Sequence, residues 1–195
     1  MSANKLIQKT KLSKKVTINN RKNAVIVGIL ILFAYAVLAS SVIESKLLVS
    51  ILESLSGIAV IGIAVIMFPL FKSQNKKSTI AYLSGKIVEG GLMVIAGFLF
   101  LLNFLTIRDQ IYLFHTYIFI LSAFIFYVLL YQSKLIPRFI SVWGGIAIVL
   151  LLIVNSIDMI KNPLPMIILA IGYAPIILNE VFLAFWLIIK GFNII

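Results

Sequence analysis

The sequence predicts an all-α fold: a polytopic membrane protein of six transmembrane helices in an up-and-down bundle, N- and C-termini cytoplasmic. Three observations predict it. Apolar runs of about twenty residues recur along the chain, the length a helix needs to cross a hydrocarbon core of about 30 Å. The polar breaks between them alternate between lysine-rich and lysine-poor, and positively charged loops stay on the cytoplasmic side. Finally, 62% of the 195 residues are hydrophobic and 12% charged, with mean hydropathy +1.15. A soluble domain carries about 25% charged residues, so lipid must cover most of this surface.

Residues 1–23 are basic and lack a clean apolar stripe, and read as an N-terminal cytoplasmic arm. The first span is expected at 24–43, ended by Glu44-Ser45-Lys46. Small residues at Val37-Leu38-Ala39 also fit a signal-peptidase site, and cleavage there would leave five spans. The second span, 47–71, stops at Lys72-Ser-Gln-Asn-Lys-Lys77, and the third, 80–105, at Thr106-Ile-Arg-Asp-Gln110. The fourth, 111–132, ends at Ser133-Lys-Leu-Ile-Pro-Arg138, and the fifth, 140–160, at Lys161-Asn-Pro-Leu-Pro165. The sixth is 166–189, so residues 24–195 form one six-helix domain. Loops this short make successive helices antiparallel neighbours.

With the N-terminus inside, the cytoplasmic side collects the arm's cations, Lys72, Lys76, Lys77, Lys134, Arg138 and Lys190. The outer side holds Lys46, Arg108 and Lys161. Trp143, Trp186, Tyr82 and Tyr131 fall near the expected inner interface, where amphipathic rings anchor. The net charge of +11 sits in arm and loops, which points to the lipid bilayer and its anionic headgroups as partners, not nucleic acid. A merely topogenic arm fits as well. Assembly into a homo-oligomer stays open. The chain has no cysteine, which excludes disulfides, thiolate nucleophiles and thiolate metal sites, and no cofactor is implied.

Function should show where ionisable residues enter hydrocarbon, because a charge there costs at least about 2.5–3.5 kcal/mol and must find a partner. Lys86 and Glu89 stand three residues apart, on one face of the third span. Glu180, preceded by Asn179 and by Pro175, sits at matching depth in the sixth. Lys86, Glu89, Asn179 and Glu180 are therefore the expected ligand- or proton-binding residues, meeting in one layer if the two spans touch. Two carboxyls and one lysine leave one negative charge uncompensated unless a proton is kept. A carboxyl that loads and unloads a proton at mid-depth is what a proton-coupled carrier uses. The competing reading is an intrahelical pair with Glu180 protonated, serving only as interhelical glue. Gly90 and Gly91 follow Glu89 and allow close backbone approach.

Glu53, His115, Asn155 and Asp158 form a second expected layer toward the outside, with Ser40 and Ser41 nearby. A polar rim or cavity mouth is the leading reading. A Ser–His–Asp hydrolase lacks a supporting motif, and a His115–Glu53–Asp158 metal site lacks diagnostic spacing. Spans three and six each carry a mid-span glutamate, as an inverted repeat requires, but the acids of spans two and five both fall near the outer face, which it forbids.

Four stretches resemble a family of bacterial membrane proteins, domain of unknown function 4386. They are Leu52-Glu53 with Ala59–Val65 and Phe68-Pro69; Tyr82, Lys86 and Glu89; Ser133–Arg138 leading to Ser141-Val-Trp-Gly144; and Leu178-Asn-Glu180 leading to Trp186–Gly191. The resemblance implies a six-helix membrane fold and marks Glu53, Lys86, Glu89 and Glu180 as its polar signature. Relatives often carry arginine where this chain has Lys86, and lysine makes a weaker bidentate clamp. No activity comes with the family. The expectation is a small carrier or binding protein whose Lys/Glu layer takes a proton or a small polar or amphipathic solute. The alternative is a structural or regulatory subunit whose buried polar residues fix helix packing.

Overall fold

The computed structural model describes residues 20–35, 37–38, 43–161 and 164–193. Its secondary structure is helical throughout. Helix α1 covers residues 20–34 and passes into a single 3-10 turn. There follow α2 (Lys46–Lys72), α3 (Lys76–Leu101), α4 (Leu105–Ser133), α5 (Arg138–Lys161) and α6 (Met166–Ile189). Helices α2 to α6 are each long and apolar enough to cross a membrane. Helix α1, over its described residues, rises only about 22 Å. Five of the six expected spans are therefore present at full length, and the first is a helix of shorter described extent. The signal-peptidase motif falls partly on residues outside those described.

The helices start and stop where capping chemistry allows. Ser45 accepts the amide of Leu48 at the start of α2, and Asn75 Oδ1 accepts that of Ser78 at 3.1 Å at the start of α3. The tight turns after α3 and α4 place Asn103 (φ 64°) and Lys134 (φ 55°) in the left-handed region. Asparagine tolerates that region through its short polar side chain. Helix α6 continues through Pro175, which has no amide hydrogen for the carbonyl of Ile171.

Neighbours in sequence are neighbours in space: α2 packs on α3, α3 on α4, α4 on α5 and α5 on α6. Helix α1 closes the ring, with Gly28 against Ala184 of α6 and Leu30 reaching Gly62 of α2. The closest approach is between α2 and α3. There Gly57 and Gly90 meet so tightly that a Cβ on either would strike the other's carbonyl oxygen. Gly91 faces open space. The aromatic core lies toward the α2–α3 turn, where Phe71, Tyr82, Phe126 and Tyr127 stack or meet edge to face. Apolar side chains such as Ile146, Phe98 and Leu121 point outward and stay exposed, as a lipid-facing surface requires.

At the end of α6, Arg21 of α1 donates from Nη2 to the carbonyls of Ile188 (2.8 Å) and Ile189 (3.0 Å). A cation on the last, unsatisfied carbonyls of a helix is favourable on both hydrogen-bond and dipole grounds. The amide of Asn193 then donates to Leu135 at 2.7 Å, tying the chain end to the α4–α5 turn.

Candidate functional site: a charged cavity inside the helix ring

Helices α3 and α6 do not pack on each other. Their ionisable residues meet across a half-open cavity of about 230 Å³ within the ring. Lys86 and Glu89 stand on one side and Glu180 on the other. The cavity is otherwise mostly apolar, walled by residues such as Ile31, Ile63, Met93, Phe126 and Leu183. Helix geometry sets the depth: Glu89 is about 20 Å along α3 and Glu180 about 21 Å along α6, near the middle of each.

On the α3 side every partner is in place. Lys86 Nζ lies 2.9 Å from both carboxylate oxygens of Glu89, one turn away on the same helix face. Ser122 of α4 donates to Glu89 Oε2 at 2.6 Å. The ammonium also sits 5.1 Å from the ring centre of Phe119. Lys86 and Glu89 are 8% and 2% exposed, so this is an ion pair held inside the protein. The Gly57–Gly90 contact fixes this stretch of α3 against α2.

The α6 side is different. Tyr35, at the end of α1, donates its hydroxyl to Glu180 Oε2 at 2.8 Å. Among the described residues no donor reaches Glu180 Oε1. Lys86 and Glu89 are near enough for their charges to act on Glu180, though neither bonds to it. The hydroxyl of Tyr82, which lines the same cavity, has no hydrogen-bond partner among the described residues, nor does His115 Nε2.

Asn179, expected beside Glu180, faces away from it. Its Nδ2 donates to the carbonyl of Ile140 at 3.0 Å, tying α6 to the start of α5, and it does not line the cavity.

The second expected layer is distributed. Glu53, fully buried in α2, receives Arg108 of α4, whose guanidinium is sandwiched 4.7 Å and 4.8 Å from the rings of Phe100 and Tyr112. Asp158 caps the α5–α6 connection by accepting the amide of Leu164 at 2.7 Å. Asn155 accepts from the Tyr173 hydroxyl at 2.9 Å, and Tyr173 lines the cavity. His115 lines it as well. Helix α4 begins at Leu105, six residues before the expected start, which sets His115 about 15 Å in from the end and not at headgroup depth. No hydrogen bond or ion pair joins any two of these four. Ser40 and Ser41 lie outside the described residues, among which no group of three His, Asp or Glu could hold a metal.

Sequence reasoning missed Tyr35, Ser122 and Arg108. Arg108 had a signal, as an arginine on the cation-poor side facing an unpaired acid at like depth. Ser122 and Tyr35 had none, because neutral hydroxyl residues in apolar runs do not declare a partner.

These features define a class: a multi-pass helical membrane protein with an acid-bearing cavity at mid-depth. Residues 101–191 match the family model described as Domain of unknown function (DUF4386), which supports the family read from the sequence. That stretch holds His115, Ser122, Asn179 and Glu180; Lys86 and Glu89 lie before it. No curated protein and no solved structure matches the chain.

Proposed function

We propose that this integral membrane protein binds a small amphipathic solute, or a proton, in the ring cavity, and acts as a carrier or binding protein. One observation supports it above the rest: the ionisable groups of α3 and α6 line a shared void and make no hydrogen bond or ion pair across it. A scaffold role would favour a closed polar contact, because a void forfeits dispersion contacts along its whole lining. The Lys86–Glu89–Ser122 corner does fit the scaffold reading, since its carboxylate is fully partnered. Glu180 is the working group.

The test uses purified protein in nanodiscs and three probes sharing one apolar body: benzyl alcohol, benzoate and benzylamine. At least one is expected to raise Tm, and Ala34→Phe, which adds bulk at the cavity wall, is expected to remove that shift. Shifts equal in both proteins for all three probes would overturn the reading.

The charge bias supports an orientation with both termini on the cytoplasmic side of the cell membrane. The chain has no cysteine of its own, so single-cysteine variants report cleanly. An impermeant maleimide should label Asp109→Cys in intact cells and Ser73→Cys only after lysis. The reverse pattern would invert the topology. The basic arm fits binding to anionic lipid.

A further inference from the structure

The charges around the cavity do not balance among the described residues. Lys86 and Glu89 cancel each other, and both oxygens of Glu89 are occupied. Among the described residues Glu180 receives only the neutral hydroxyl of Tyr35, and no donor reaches its second oxygen. Among the described residues no cation besides Lys86 lines the cavity: α2 contributes Val60 and Ile63, and α5 contributes nothing. A carboxylate in such surroundings must hold either a proton or a further cation.

We propose that the occupant is a small organic ammonium that exchanges with a proton on Glu180. The inference rests on the cavity-binding reading above and names its ligand class. The step is acid–base only: protonated Glu180 gives its proton to water, and the ammonium takes its place as the counter-charge and donates to Oε1. No covalent bond forms.

Two further observations fit a cation with an apolar body. Beyond the acid, the walls carry the rings of Tyr35, Tyr82, Phe126 and Tyr173, whose faces attract an ammonium. The volume, about 230 Å³, suits one ring and a short aminoalkyl arm; a cavity of about 150 Å³ already holds benzene. An anionic solute would meet Glu180 as a like charge and find Lys86 already engaged.

The groups near Glu180 are Tyr35 from α1, Lys86, Glu89 and Tyr82 from α3 and Tyr127 from α4, while His115 of α4 and Tyr173 of α6 line the same cavity. Of these, His115 is the other side chain able to exchange a proton near neutrality. The experiment must therefore separate it from Glu180.

Calorimetric titration of benzylamine into the full chain in nanodiscs, repeated in buffers of different ionisation enthalpy, counts protons released. We expect about one proton per amine at low pH and a Kd that falls about tenfold per pH unit until Glu180 is ionised, as linkage requires. Glu180→Gln should abolish saturable binding, while His115→Gln should keep both binding and proton release. Amine binding without proton release, or unchanged in Glu180→Gln, would overturn the proposal. So would a cavity-dependent Tm shift from benzoate or benzyl alcohol with none from benzylamine, an outcome that leaves the cavity-binding reading standing. No cavity-dependent shift with any probe would remove both.

Discussion

Glu53 is fully buried and Glu180 half-buried at the cavity wall, and the chain treats the two acids oppositely. Glu53 is given a cation, Arg108, brought from the next helix but one and clamped between two aromatic rings. Glu180 is given a hydroxyl and a void. An acid whose counter-charge lies within the fold is satisfied by folding alone. One whose counter-charge is missing leaves the fold with an open valence for something else to fill. Glu89 stands with Glu53 in this respect, and the contrast divides structure from site more sharply than depth does.

The comparison breaks first at Arg108. Replacing it by leucine leaves Glu53 buried without its cation, and breaking one side of such a pair costs about 3–5 kcal/mol. Thermal or denaturant unfolding in mixed micelles should show that loss, whereas the double change of Glu53 and Arg108 to methionine should recover most of it. A small effect from Arg108→Leu alone would mean that Glu53 finds another partner, and the contrast with Glu180 would lapse. Next in size is Gly90→Val. Its added carbons meet the Gly57 carbonyl and Ile61, and overpacking of this kind costs about 1–3 kcal/mol. Because it displaces the helix that carries Lys86 and Glu89, it should also weaken probe binding, and a stable variant with full binding would detach the α2–α3 contact from the site.

The spans and their order were legible because bilayer thickness and backbone hydrogen bonding leave a chain few choices. The one-layer meeting of Lys86, Glu89 and Glu180 was legible from helix rise alone, but its form was not. The layer was conditional on α3 and α6 touching; they do not, and a ring with a void between them is what α1 produces by closing on both α2 and α6. His115 was misplaced for a local reason. Arg108-Asp109-Gln110 reads as a loop by polarity, yet these residues form the first turns of α4 so that Arg108 can reach Glu53. Which way Asn179 points could not be read, since one residue's step along a helix turns its side chain about 100° from its neighbour.

The smallest effects sharpen the contrast. Glu180→Gln should change stability by no more than about 1 kcal/mol, because the Tyr35 hydroxyl can donate to the amide oxygen as it did to the carboxylate. It should nonetheless remove the benzylamine response completely. Tyr35→Phe deletes that hydrogen bond and should cost about 0.5–1.5 kcal/mol, while strengthening or sparing amine binding, since the carboxylate then has both oxygens free for the ligand. A loss of binding in Tyr35→Phe would instead make the hydroxyl part of the recognition, and Glu180 would cease to be the sole determinant. Stability and binding thus move independently at Glu180 and together at Gly90. That split is what an acid left open by the fold requires, and an acid serving as glue cannot reproduce it.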